Sequence, residues 1–274
     1  MTSSGYGNLL LVEKSNGIAR FTLNRQEKRN ALNSALQAEI RAALADTWDC
    51  RVITVTGAEG PAFCAGIDLS EGRERRESGD GERRRSYANA ADSWGATCNL
   101  FTTHPAVVIA SVNGFAIAGG LSIVCAADLA IASERAEFGM TEMGFGSFPA
   151  LVAPLTAKVV LPKHLAQLVF TVQRINAEKA ESWGIVNKVV PHAQLREATE
   201  EWAQRIASLD PVAIDWAKKA LRMLPQMNWD MAIHYGGLIG SQFRAAGASG
   251  GDSLQRFLSG QPGLGQGARG APAS

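Results

Sequence analysis

Two short apolar strands, each running into a turn of small residues, constrain this chain most. The first, Val52 to Thr56, ends at Gly57 and leads to Ala62-Phe63-Cys64-Ala65-Gly66-Ile67-Asp68-Leu69. The second, Ala106 to Val112, leads to Asn113-Gly114-Phe115-Ala116-Ile117-Ala118-Gly119-Gly120. Apolar runs this short, bounded by turn residues, read as buried strands. Glycine there permits a tight turn and a close approach of backbone to a neighbour or a ligand. If Ala118-Gly119-Gly120 opens the apolar helix expected over Leu121 to Ala127, its free N–H groups and helix dipole face whatever binds there. Two such donors converging on one oxygen make an oxyanion hole. Taken alone, the same glycines are equally ordinary tight turns.

The rest of the chain alternates strands with helices, which points to α/β architecture. Leu9 to Glu13 and Ile18 to Leu23 read as strands joined by an Asn16-Gly17 hairpin. Leu32, Leu36, Ile40 and Leu44 recur every four residues and predict an amphipathic helix, with Asn30 or Asn33 as its cap. Leu129 to Ala132 is a further strand. Helices dominate after about Ala177: Leu195 to Leu209, Val212 to Leu224, Asp230 to Phe243 and Ser253 to Leu258, punctuated by Pro211 and Pro225. The spacing is irregular and no repeat period emerges. The expected organisation is a core over residues 1–200, a helical region over 201–260 and a Gly/Pro/Ala-rich, disordered tail over 261–274.

Composition narrows the class. A chain of 274 residues, 46% hydrophobic, can bury a sizeable core. A net charge of +1 gives no reason to expect nucleic acid or a membrane surface as partner. Cys50, Cys64, Cys98 and Cys125 lack metal-site spacing and sit in apolar surroundings, so buried free thiols are expected. His104 reads as a loop residue, and His164, His192 and His234 are scattered without a metal pattern. The polar N-terminus and the lack of a long apolar run give a cytoplasmic location as the expectation. Glu71 to Arg85 is densely charged, either a solvated face or an arginine-bearing flap for a phosphate group.

The order of several segments carries a resemblance. Lys28-Arg29-Asn30-Ala31-Leu32 precedes the two glycine turns, and Ala126-Ala127-Asp128 follows them. Ala136-Glu137-Phe138-Gly139 with Glu142 and Pro149 comes next, then Arg174-Ile175-Asn176-Ala177 and Trp183-Gly184-Ile185-Val186-Asn187. In this order, over residues 8–258, the chain resembles the crotonase (enoyl-CoA hydratase/isomerase) superfamily. The resemblance implies a β-spiral of ββα turns with a C-terminal helical oligomerisation region, assembled as a homotrimer or homohexamer. It implies a bent coenzyme A thioester as substrate and neither a metal nor a redox cofactor. The oxyanion donors fall on the N–H groups of Ile67 and Gly119. Ala65, Asp68 and Leu69 fall near the adenine end of CoA, and Lys28 and Arg29 along the pantetheine and phosphate path. Ser70 stands where many members have lysine, and Phe257-Leu258-Ser259-Gly260 lacks the lysine often found near the C-terminus. Phosphate contacts then come from Arg25, Arg29 or the arginine flap, or the thioester is carried by an acyl-carrier protein.

Hydratases of this family place two glutamates at the thioester. Here the first position is Ser122 and the second is Glu142. Burial among Met140, Met143 and Phe145 is expected to raise the Glu142 pKa, as a proton shuttle needs. Ser122 is no general base near neutral pH, but it can hold a water or a substrate oxygen, or simply pack. Ala150 stands where dienoyl-CoA isomerases and chlorobenzoyl-CoA dehalogenases carry aspartate, which argues against both activities. Hydration or dehydration, Δ3,Δ2-enoyl isomerisation and decarboxylation remain open, as does a non-catalytic thioester-binding role. Gly119-Gly120-Leu121-Ser122 with Phe148-Pro149-Ala150 is similar to the dehydratases of polyketide β-branching, which favours hydratase/dehydratase chemistry. Asp128 reads as structural. Trp183, Trp202, Trp216 and Trp229 with Met223, Met227 and Met231 read as core or subunit packing.

Overall fold

The computed structural model describes residues 2–3, 7–71, 93–245 and 259. Strand β1 (Thr2–Ser3) lies antiparallel to β2 (Leu10–Ser15), which turns back as β3 (Ile18–Leu23). Asn16 and Gly17 take the left-handed backbone, φ 54° and 75°, that a two-residue hairpin turn of this kind requires. Beyond the hairpin every pairing in this sheet is parallel. β4 (Val52–Gly57), β6 (Val107–Val112), β8 (Leu129–Ser133) and β11 (Lys188–Val190) complete a seven-stranded sheet. A second sheet holds β5 (Ala62–Cys64), β7 (Phe115–Ile117) and β9 (Glu137–Gly139) in parallel, with β10 (Ile175–Asn176) antiparallel at its edge.

The expected β-spiral is therefore present. In β4–β5, β6–β7 and β8–β9, the chain leaves the large sheet, turns, and adds one strand to the small one. The repeat is hidden from a period search because these pairs begin at Val52, Val107 and Leu129, at unequal intervals. Helix α1 (Ser34–Asp46) covers the first turn and buries Leu36, Ile40, Ala43 and Leu44. Its cap is Asn33, whose side chain accepts from the Leu36 N–H at 2.9 Å. Leu32 shares the four-residue spacing but lies outside the helix, in a parallel bridge to Ile67. Asn30 is no cap either. At φ 55° it turns its Nδ2 to the carbonyls of Ala62 and Phe63, at 3.1 and 3.2 Å. Helices α2 (Trp94–Thr103) and α3 (Gly119–Ala126) pack against the same core, which unites Phe21, Ile53, Phe63, Phe101 and Leu121.

Three sequence expectations take a definite form. His104 lies in the turn after α2, as expected of a loop residue, but it is buried there as the helix's C-cap, with Nε2 3.0 Å from the Leu44 carbonyl and Nδ1 accepting from the Ala106 N–H at 3.1 Å. Asp128 accepts from the Val108 N–H at 2.7 Å, a structural bond as expected. The cysteines are free, and burial pushes the thiols of Cys64 and Cys98 up to about 12, so neither is a nucleophile near neutral pH.

Helices α4 (Val152–Thr156), α5 (Pro162–Thr171), α6 (Ala177–Ser182) and α7 (Leu195–Ala207) follow in order. The chain divides into two units, Met1–Ala203 and Gln204–Ser274. In the second, α8 (Pro211–Met223) is capped by Asp210, which accepts from the Ala213 N–H at 3.0 Å. In α9 (Trp229–Ala245) no residue is buried, and Trp229, Met231, Ile233 and Leu238 are exposed in the single chain. The helix expected over Ser253 to Leu258, the tail and the arginines of the Glu71 to Arg85 segment lie outside the described residues. Among the described residues, no helix is long and apolar enough to cross a membrane.

Candidate active site

The two glycine turns meet. Gly66 has φ 94°, and a Cβ there would stand 2.9 Å from both the Ala118 Cβ and the Ile117 carbonyl oxygen. Only a residue without a side chain lets the backbones come this close. Ile67 is fixed by its bridge to Leu32: the Leu32 N–H donates to the Gly66 carbonyl at 2.8 Å, and the Asp68 N–H donates to the Leu32 carbonyl at 3.1 Å. That pattern leaves the Ile67 N–H unused. Gly119 is the first residue of α3, so its N–H has no carbonyl one turn back within the helix. Neither N–H donates to any described residue. A Cβ on Gly119 would lie 3.3 Å from the Ile67 nitrogen, so the two donors are neighbours.

Ala118, just before α3, holds φ 50° and ψ −114°, a conformation costly for a residue with a side chain. Its N–H donates to the Gly139 carbonyl at 2.9 Å, which ties the strained turn to β9. The strain sits directly beside the free donors.

Ile67 and Gly119 open on a cavity of about 250 Å³. Ala65, Leu69, Ser122 and Glu142 line it too, so six of the sequence candidates come together. Glu142 begins a single turn of 3-10 helix, Glu142–Phe145. Burial pushes its carboxyl above the ordinary range, against the N–H groups of Glu142 and Thr141, which pull the other way. One of its oxygens, Oε2, is buried with no hydrogen-bond partner. Ser122 is fully buried, and its hydroxyl makes only a long contact, 3.4 Å, to the Ala118 carbonyl. Ala150 lines the cavity without a polar group, so Glu142 is the single carboxylate among the described lining residues.

Lys28, Arg29 and Asp68 do not line this cavity. Asp68 is 8% exposed and fully engaged: Arg25 donates to its Oδ2 at 2.6 Å, and the Ser70 hydroxyl and N–H donate to its Oδ1 at 2.6 and 3.0 Å. The Ser70 hydroxyl and Arg25 together hold its pKa down to about 2, from 3.8. Arg25, a candidate for phosphate contact, is thus already paired, and also donates to the Ala31 carbonyl at 3.0 Å. A carboxylate with a depressed folded-state pKa contributes stability above its unfolded value, and the contribution fades as pH falls toward the folded value. Asp68→Asn is expected to cost about 2 kcal/mol at neutral pH. Chemical denaturation at pH 7 and pH 3 checks this, since the cost must shrink at the lower pH.

The sequence did not single out Trp94, Thr141, Leu151 or Val152, which also line the cavity. Ser93 caps α2, accepting from the Ala96 N–H at 3.2 Å, and a Cβ on Gly95 would be 3.3 Å from Leu151, so this helix start abuts the loop before α4. The Ser-Trp-Gly triplet signals a helix start, but no local pattern says which residue of it meets a cavity.

The sequence profile described as enoyl-CoA hydratase/isomerase matches residues 13–234. The chain is 33% identical over 238 residues to hydroxycinnamoyl-CoA hydratase-lyase of Pseudomonas fluorescens, covering 85% of each protein. It is 34% identical over 232 residues to short-chain-enoyl-CoA hydratase of Clostridium acetobutylicum, covering 83% of this chain and 86% of that one. The crystal structure of human enoyl coenzyme A hydratase domain-containing protein 3 superimposes with a TM-score of 0.83 at 27% identity, over 93% of this chain and 99% of that one. Spiral, paired turns and profile agree, and this chain is an enzyme of the enoyl-CoA hydratase/isomerase family.

Proposed function

We propose that the chain hydrates 2-enoyl-CoA thioesters, and dehydrates their 3-hydroxy products, with Glu142 as its single proton-carrying group. The N–H groups of Ile67 and Gly119 take the thioester oxygen as it gains negative charge. Water adds its hydroxyl to the β-carbon, and Glu142 carries the proton from that water to the α-carbon. Ser122 holds the water. The observation that carries this reading is the state of Glu142: raised in pKa, one oxygen buried and unpartnered, in a cavity with the two free donors. Both bacterial relatives are hydratases of CoA thioesters by name, which favours hydration. The same lone carboxylate also suits proton transfer between the α- and γ-carbons, a Δ3,Δ2-isomerisation, as the second reading.

Incubation with crotonyl-CoA and with a 3-enoyl-CoA in deuterated water tests it. The expected result is a 3-hydroxyacyl product with deuterium at the α-carbon, lost by a factor of about 10²–10⁴ in Glu142→Gln. A shifted alkene without alcohol supports isomerisation instead. Absence of exchange on every thioester tried, with binding intact, sinks both.

A further inference from the structure

The direction of the Ile67 N–H is set from outside the cavity. A trans peptide unit is planar, so its C=O and its N–H point opposite ways. The Gly66 carbonyl and the Ile67 N–H belong to one such trans unit. That carbonyl accepts from the Leu32 N–H at 2.8 Å, so the Ile67 N–H points away from Leu32. The Leu32 N–H in turn shares a unit with the Ala31 carbonyl, which accepts from Arg25 Nη1 at 3.0 Å. Hydrogen bonds therefore run in series from the Arg25 guanidinium, through the Ala31–Leu32 peptide, to the Gly66–Ile67 peptide. The series ends on an N–H with no partner among the described residues.

Neither peptide holds its direction unaided. Gly66, at φ 94°, has the freedom of a residue without a side chain. Before Ala31, Arg29 and Asn30 stand at φ 54° and 55°, two successive left-handed residues with side chains. Such backbone persists only where its surroundings fix it. Arg25 does this with its backbone and its side chain. Its N–H donates to Asn30 Oδ1 at 2.9 Å, and its carbonyl accepts from the Asn30 N–H at 2.9 Å. The Nη1 that grips Ala31 also donates to Asp68 Oδ2 at 2.6 Å. One nitrogen thus fastens the residue before Leu32 to the residue after Ile67. The side chains of Arg25 and Asp68 are 12% and 9% exposed, so water competes little for them. Hydrogen bonds in series also polarise one another, and a cation at the head of this one strengthens the donor at its end. Asp68 offsets part of that charge, so orientation is the larger effect.

Resting on the reading of the cavity as a thioester site, we propose that Arg25 is a positioning residue for the reaction. It aims the Ile67 N–H at the thioester oxygen through two peptide units, and it does not itself line the cavity. A phosphate contact, the role open to Arg25 from the sequence, acts on affinity. Positioning acts on the rate.

The test uses two variants. Arg25→Met keeps the stem of the side chain and removes its donors. Arg25→Met/Asp68→Asn also removes the carboxylate that would otherwise stay buried without its partner. In both, kcat on crotonyl-CoA is expected to fall by about 10–10², while the Kd of butyryl-CoA stays within about threefold. The readout particular to positioning is the carbonyl stretch of bound butyryl-CoA, labelled with carbon-13 at the thioester carbon. Two donors lower that frequency in the wild type, and with one misaimed roughly half of the lowering is expected to be lost. Arg20→Met is the control: it breaks the ion pair with Glu200 on the large sheet, lowers Tm, and leaves the stretch as in the wild type. A folded Arg25 variant with kcat within about twofold of wild type overturns the proposal. So does an unmoved stretch, and so does a rise in Kd that accounts for the whole loss in kcat/KM, the mark of a phosphate contact. If neither variant folds, the wild type decides. Its Leu32 amide proton, which faces Gly66, is expected to move downfield when butyryl-CoA binds, and an unmoved resonance overturns the proposal. Failure of the thioester reading appears differently, as a wild type with no product and no lowering of the stretch.

Discussion

Gly119→Pro is expected to lower kcat by about 10²–10³, the cost of removing one oxyanion donor. The proline ring puts a carbon where the amide hydrogen stood, so it deletes the donor and fills the space in front of it. Proline suits the first position of a helix, and the Gly119 N–H donates to none of the described residues, so α3 loses nothing it was using. The new Cβ meets the Leu32 Cδ1 at 3.1 Å and the Ile67 nitrogen at 3.3 Å, and that crowding needs its own control. Gly119→Ala supplies it, adding the same Cβ and keeping the N–H. Its activity is expected within about tenfold of wild type, since the tightest contact is the end of a flexible leucine. Ala118 is already strained, so kcat is read per folded molecule, with melting curves recorded alongside. Equal losses in the two variants would mean that crowding, not the missing donor, sets the rate.

Gly120→Ala is expected to be among the most destabilising single-methyl changes in the chain. A Cβ at Gly120 would stand 2.2 Å from the Cys64 carbonyl oxygen and 3.0 Å from its carbon. Both are backbone atoms of β5, within the small sheet, and no rotamer change relieves the clash. The only relief is to push α3 away from β5, which parts the two turns that present Ile67 and Gly119. Overpacking against a rigid neighbour costs about 3 kcal/mol or more, which lowers Tm by roughly 6–12 °C for a chain of this size. Activity is expected to fall with it in the fraction that folds, because the spacing of the donors changes. Scanning calorimetry with an activity assay below the transition checks both. A Tm within 2 °C of wild type would contradict the rigidity assigned to this contact.

How much of this was legible beforehand differs from residue to residue. The hairpin at Asn16-Gly17, the cap at Asn33 and the buried face of α1 are local physics, and the local pattern carried them. Leu32 shows where that pattern misleads. It keeps the helix spacing yet belongs to a bridge with Ile67, a residue far away in sequence. His104 was legible as a loop residue but not as a buried one, because its partners, Leu44 and Trp48, come from another segment. Glu142 was legible by its place in the segment order, and of its apolar sequence neighbours Phe145 lines the same cavity while Met140 and Met143 do not. Asp68 was placed by resemblance near the ligand, and its side chain turns out to be paired with Arg25 and Ser70. Trp94 carried no signal at all, since the cavity it lines is built by residues from four separate stretches of chain.

The sequence by itself determined the two glycine turns, the order of segments that resembles one family, and a serine, Ser122, at the position where that resemblance leads one to expect a carboxylate. Each is a property of residue type at a position, and glycine's lack of a Cβ acts wherever it stands. Only the tertiary structure decided that Gly66 and Gly119 lie against each other, that the N–H groups of Ile67 and Gly119 are both without a partner among the described residues, and that Glu142 lines the same cavity as they do. Whether a polar group is satisfied depends on what the fold brings within about 3 Å of it, and no single stretch of chain contains that information.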